Sequence, residues 1–201
     1  MTSEELWRAT LHDFNNLLAG LQGALDLSDP RLPLDARNRL RLESTLEDGK
    51  TLINMARALA LGRHQDTGLA SWSEWRAGLD ERLKPISTLF QCPIDLVDVG
   101  ADGSLWPTPS LQDWAAAFTR QILPWAAPGP LRLEATASPE AWTLTWWGDA
   151  PVPAALRPVE PTDAHHNLAS LWLRAEGERL GVSILETPGG LVARMERTCA
   201  S

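Results

Sequence analysis

The chain has 201 residues, 44% of them hydrophobic and 22% charged, a balance that fits a folded protein of one medium domain or two small ones. With 26 acidic side chains against 18 basic ones the net charge is -8, which repels phosphate backbones and anionic lipid and argues against a nucleic-acid or membrane partner. Cys92 and Cys199 stand too far apart for a disulfide framework or a metal-ligand spacing, the N-terminus is acidic rather than a signal peptide, and no apolar run reaches the ~18 residues of a membrane span. These features predict a soluble cytoplasmic protein.

Residues 3–63 show no strand alternation and read as two long helices. Thr2 or Ser3 can cap the first, with Glu4 and Glu5 in its first turn. Two prolines and an Asp within Leu27-Ser28-Asp29-Pro30-Arg31-Leu32-Pro33 stop it and turn the chain. The second helix is expected from Leu34-Asp35 to Leu61-Gly62. A hairpin of two such helices leaves too much apolar surface uncovered, so it needs a partner, most simply a second copy.

Beyond residue 66 helical and strand patterns alternate. Ser71 to Phe90 reads as a helix that Pro85 should kink or end. Pro93 to Val99 alternates like a strand, and Ser110 to Trp125 reads as an amphipathic helix capped by Ser110. Leu131–Ala137 and Ala141–Trp147 form an expected hairpin around Ser138-Pro139-Glu140. Asp163 to Leu180 reads as a helix stopped by Gly181, and Val182–Glu186 and Leu191–Met195 as a second hairpin through Pro188-Gly189-Gly190. This order predicts an α/β sandwich with helices on one face of a mixed sheet. Trp72, Trp75, Trp114, Trp125, Trp142, Trp146, Trp147 and Trp172 are expected to pack its core and layer interfaces, with one of the Trp146-Trp147 pair turned outward. The His165-His166 pair lacks further ligands at metal spacing and reads as a loop before a helix capped by Asp163.

The most informative stretch is Leu11-His12-Asp13-Phe14-Asn15-Asn16-Leu17-Leu18. With His12 set at zero on a helical wheel, Phe14, Leu17, Leu18, Leu21 and Leu25 fall between about 140° and 240°, a stripe expected to face a core. Asn16, Ala19 and Gly23 lie within about 40° of His12 on the opposite side, so His12 is expected to point to solvent above a strip of small residues that Gly20 widens. Each interior Gly costs a helix about 1 kcal/mol against Ala, and one reason to accept that cost is the close approach of another protein's backbone. Asp13 can hold one nitrogen of the His12 imidazole, fixing its tautomer and sharpening the other nitrogen as a nucleophile. Asn16, one turn on, can hydrogen-bond a phosphoryl oxygen or a water.

The string His12-Asp13-Phe14-Asn15-Asn16-Leu17-Leu18 resembles the H-box of sensor histidine kinases. That resemblance covers roughly residues 1–65, within an expected first domain of residues 1–66. It implies a dimerisation and phosphotransfer hairpin that pairs with its copy into a four-helix bundle. It also implies His12 as phosphoacceptor, Asp13 as the adjacent acid/base, Asn16 at the phosphatase position, and Ala19, Gly20 and Gly23 as the docking strip for a receiver domain.

By element order, residues 67–201 resemble the family's ATP-binding α/β sandwich, whose nucleotide motifs are an Asn-rich helix, an Asp-x-Gly-x-Gly turn and a Gly-x-Gly segment. Here Ala117 and Gln121 stand at the Asn places, Trp146 near the adenine-binding Asp and Ala150 at the second Gly, and Ala164 to Ala169 lack the phosphate-wrapping glycines. The expected architecture is thus α+β: a helical hairpin in a dimeric four-helix bundle, then a degenerate histidine-kinase-ATPase-like sandwich that binds no ATP.

This pattern resembles the dimeric histidine phosphotransferases of bacterial phosphorelays, the ChpT type. The resemblance implies phosphoryl passage between the aspartates of response-regulator receiver domains through His12, with no resident cofactor and Mg²⁺ supplied by the receiver. The chain shows no sensor, transmembrane or receiver segment, as expected of a freestanding relay protein. The competing readings are a pseudokinase or response-regulator phosphatase using Asn16, a dimeric scaffold without phosphoryl chemistry, and last an autophosphorylating kinase.

Overall fold

The computed structural model describes residues 2–26, 35–61, 68–100, 103–126, 129–148 and 167–197. The chain divides into two compact units, Met1–Arg63 with Thr162–Trp172, and His64–Pro161 with Leu173–Ser201. The expected break at 27–33, the residues Asp163, His165 and His166, Ala150 and Cys199 lie outside the described residues.

In the first unit, α1 spans Ser3–Asp26 and α2 spans Ala36–Leu61. Thr2 caps α1 reciprocally: the Glu5 N–H donates to Thr2 Oγ1 at 3.2 Å and the Thr2 N–H to Glu5 Oε2 at 2.6 Å. Asp35 caps α2 by accepting from the Asn38 N–H at 2.7 Å. The helices run antiparallel, and Leu17 lies where a Cβ on Gly49 would approach its Cδ1 to 3.0 Å. Gly49 weakens α2 by its propensity and repays this by letting Leu17 come close.

The face that α1 buries differs from the expected one. Ala9, Asp13 and Ala24 are buried, whereas Leu18 and Leu25 of the predicted stripe are 57% and 54% exposed. On the wheel the buried face centres about 100° from His12, on Asp13 itself. Two helices can cover only a narrow strip of each other, and the broad apolar stripe is wider than that strip. Small residues and a carboxylate carry no hydrophobic signal, so the intrachain face was not visible as one.

In the second unit, β1 (Gly68–Ser71) and β3 (Leu105–Thr108) pair antiparallel as a two-stranded sheet that the sequence pattern did not reveal. Between them lie α3 (Trp72–Phe90) and β2 (Ile94–Asp98). Ser71 caps α3 in a reciprocal box with Glu74. Pro85 does not end α3, which runs on to Phe90. It sits on the exposed face while Leu79, Leu83 and Ile86 continue the buried one past it, so packing holds the helix together where propensity would break it. Helix α4 (Ser110–Ile122) starts at Ser110 itself, with Pro109 at the cap and no capping side chain, and a 3₁₀ turn, Leu123–Trp125, follows it. The cap expected of Ser110 is therefore absent.

The remaining strands are β4 (Leu131–Ala137), β5 (Ala141–Trp147), β6 (Val182–Thr187) and β7 (Gly190–Glu196), with α5 (Leu168–Leu180) before β6. The five-stranded sheet has the order β2-β4-β5-β7-β6, parallel between β2 and β4 and antiparallel elsewhere, the mixed sheet expected. Its register puts Leu133 opposite Trp146, and Trp146 opposite Leu191, on one buried face. Trp146 meets Phe118 of α4 with ring centroids 4.8 Å apart and donates its Nε1–H to Thr119 Oγ1. Trp114 donates to Leu173 O, and its indole lies 3.1 Å from where a Cβ on Gly177 would stand, so a larger residue at 177 would displace the ring. Trp72, Trp75 and Trp106 form a second cluster with centroids 4.6 to 5.5 Å apart. Trp147 is the outward member of its pair, at 41% exposure. Trp142 and Trp172 are half-buried, and the Trp125 side chain is outside the described set.

Candidate functional site

His12 sits near the middle of α1, one residue before the buried Asp13. Its side chain is 54% exposed, that of Asp13 only 11%, so the pair straddles the edge between solvent and the packed face. His12 Nδ1 lies 3.0 Å from Asp13 Oδ1. Asn16 Nδ2 lies 3.4 Å from the same nitrogen. One nitrogen cannot donate to the carboxylate and accept from the amide at once. The carboxylate is nearer and accepts only, so its geometry favours the tautomer with the proton on Nδ1 and the lone pair on Nε2.

Asp13 has a second partner that sequence reasoning missed. Its Oδ2 accepts the Leu168 N–H at 2.8 Å. Leu168 opens α5, and residues 162–172 belong to the same compact unit as α1 and α2. Asn167 caps this helix by accepting from the Ser170 N–H at 2.8 Å, the role the sequence pattern gave to Asp163. No local signal links Asp13 to a donor so far along the chain.

Asn16, Ala19, Gly20 and Gly23 are exposed on α1. A Cβ at Gly23 would meet nothing within 4 Å, and one at Gly20 would make ordinary contact with Thr45 at 3.7 Å. Packing within the chain therefore requires neither glycine. Along the adjoining side of α1, Trp7, Leu11, Leu18 and Leu25 are exposed, as are Leu46, Ile53 and Leu61 on α2.

In the second unit, Ala117 and Gln121 lie half-buried on α4, and Ala117 offers no metal ligand. Trp146 is buried in the core and carries no acid toward an adenine. Among the described residues no group of three His, Cys, Asp or Glu side chains could hold a metal ion, and no helix is long and apolar enough to cross a membrane.

No family model matches the chain, and no curated protein matches it in sequence. Solved structures do match it in shape. The histidine kinase AdeS of Acinetobacter baumannii is similar with a TM-score of 0.64 at 14% identity, over 92% of this chain and 97% of that one. A bacterial phosphotransferase is similar with a TM-score of 0.53 at 16% identity, over 96% and 97%. The histidine kinase ThkA, in a structure with the response regulator protein TrrA, is similar with a TM-score of 0.57 at 10% identity, over 94% of this chain and 60% of that one. At these identities the likeness is one of fold: this is an α+β chain with a histidine-kinase-like architecture.

Proposed function

We propose that this chain is a histidine phosphotransferase of a bacterial two-component phosphorelay and acts as a cytoplasmic homodimer through a four-helix bundle of residues 1–66. The observation that carries the reading is the His12–Asp13 pair, with Nδ1 held by a buried carboxylate at 3.0 Å and the ring half in solvent. The fold likeness to a bacterial phosphotransferase, and to a histidine kinase solved with a response regulator, supports the same reading.

A phosphorylated receiver domain docks beside His12 on the Ala19, Gly20 and Gly23 strip and brings its own Mg²⁺. The Nε2 lone pair attacks phosphorus in line. The N–P bond forms, the bond from phosphorus to the receiver's aspartyl oxygen breaks, and the receiver keeps a free carboxylate. The proton on Nδ1 stays hydrogen-bonded to Asp13, which offsets charge on the ring as the bond forms. Transfer to a second receiver's aspartate is the reverse exchange. Catalysis here is largely positioning, so the chain needs no nucleotide. The methyl side chain of Ala117 and the core position of Trp146 support a sandwich that does not bind ATP.

A second reading draws on Asn16, whose amide lies 3.4 Å from the His12 ring on the same exposed face. There it can orient a water against a receiver's phosphoaspartate, which makes the protein a phosphatase.

The test mixes the protein with several phosphorylated receivers from its own source. The wild type is expected to acquire acid-labile, base-stable phosphate, and His12→Ala none. Wild-type protein that never takes up label overturns the transfer reading. Receiver dephosphorylation that survives His12→Ala and is lost in Asn16→Ala establishes the phosphatase instead.

A further inference from the structure

Asp13 is a carboxylate on a helix face whose other buried members are Ala9 and Ala24. A buried ion in such a place needs partners on both oxygens. Oδ1 has His12, and Oδ2 has the N–H of Leu168. That N–H is one of the donors a helix start leaves without an internal acceptor, and the positive end of the helix dipole suits an anion there. Apolar packing holds the junction. Leu168 is 0% exposed and Leu171 7%, clustered with Ala9 one turn before Asp13 and with Leu6, Leu52, Met55, Ala56 and Leu59.

We propose that the first turn of α5 is a positioning element for His12: the Leu168 N–H holds the Asp13 carboxylate in one orientation, and the carboxylate in turn fixes the His12 tautomer with its proton on Nδ1. An aspartate adjacent to a histidine in sequence is free to turn its carboxylate elsewhere by rotation about its side-chain bonds. Held at its far oxygen by a backbone donor that is itself locked in an apolar cluster, it keeps that geometry before any receiver arrives. Its consequence for phosphoryl transfer rests on His12 being the nucleophile; the tautomer claim does not.

Two variants test it, read by the nitrogen-15 shifts of the His12 ring in the full-length protein, with His12→Ala assigning the signals. Leu168→Pro removes the N–H at a helix position that tolerates proline, and Leu168→Ala keeps the N–H while losing the side chain. The expected wild-type spectrum is a single neutral tautomer protonated on Nδ1, retained in Leu168→Ala and lost to a mixture in Leu168→Pro, with receiver labelling slowed at least ~10-fold in the proline variant alone. Asp13→Asn provides the second arm should Leu168→Pro not fold. With its oxygen engaged by Leu168, the amide must turn its NH₂ to the ring and force the proton onto Nε2. Without that hold the amide can present its oxygen to the ring, and the tautomer stays as it was. A folded Leu168→Pro with the wild-type spectrum, or an unchanged tautomer in Asp13→Asn, overturns the proposal. Shifts as expected in a protein that no receiver labels would leave the positioning element standing and sink the phosphotransfer reading.

Discussion

Which nitrogen of His12 carries the proton decides whether α1 bears a nucleophile or a surface histidine. In the proposed arrangement that choice falls to Asp13, whose Oδ1 lies 3.0 Å from His12 Nδ1 and whose Oδ2 accepts the Leu168 N–H of α5. Asp13→Ala should therefore do two separable things. It should leave the Leu168 N–H buried without an acceptor, costing about 1–3 kcal/mol in denaturant unfolding. It should also lower the rate of labelling by a phospho-receiver well beyond the fraction unfolded. Asn16→Ala, on the exposed side, should leave stability within about 0.5 kcal/mol of wild type. A stability loss in Asp13→Ala equal to that of Asn16→Ala would show that the Leu168 bond contributes nothing. The contacts of His12 with Asp13 and Asn16 were legible in the sequence because they join residues one and four apart on one helix. The second partner of Asp13 was not, since it is a backbone N–H 155 residues further along the chain, and a backbone donor has no residue type to read.

Among the elements, what the sequence announces depends on how local the cause is. Both hairpins of the large sheet, the starts of α1 and α2 and the stop at Gly181 follow from turn and cap chemistry inside a few residues. Gly181 takes a φ of 68°, which suits glycine. The pair β1 and β3 escaped because each has only four residues, and one of them holds Pro107, so neither alternates long enough to register. Trp106 went unnoticed with it, although it is fully buried between Trp72 and Trp75. At Ser71 the two kinds of signal meet, since it ends β1 and caps α3. Its hydroxyl donates to Glu74 Oε2 at 2.8 Å and its N–H to the same oxygen at 3.1 Å, and these bonds hold the Glu74 carboxyl below its ordinary pKa. Ser71→Ala should cost about 1 kcal/mol. The sign of the pH dependence follows from the lowered pKa: the Glu74 contribution is present above the ordinary glutamate value and is lost as pH falls through the lower folded value. The gap in Tm between wild type and Ser71→Ala should thus narrow on acidification through that range. A gap that widens there would refute the role given to the capping box.

On the scale of the whole molecule, the proposed dimer draws on the exposed apolar residues of the hairpin. Leu11, Leu18 and Leu25 recur every seven residues on α1 and stand 47%, 57% and 54% exposed, with Trp7 at 64% just before them. Leu46 and Ile53 repeat the spacing on α2. A heptad seam of this kind is the pattern of helices that pack along one another, and fully burying each such side chain is worth about 1.5–3 kcal/mol. A second copy offers the same seam and covers it by symmetry. The seam lies to one side of His12, while the strip of Ala19 and Gly23 lies on its own side, so pairing through the seam leaves His12 exposed. Light scattering should give twice the chain mass of 22.1 kDa at micromolar concentration. The double substitution Leu18→Glu and Leu25→Glu places two like charges per chain in the seam and should yield the monomer mass. Both positions are exposed in the single chain, so its helical content and the His12 tautomer should persist, because Asp13 and Leu168 face the other way. A wild-type protein that scatters as a monomer at that concentration would remove the bundle from this account, and a double variant that stays dimeric would move the interface to another face.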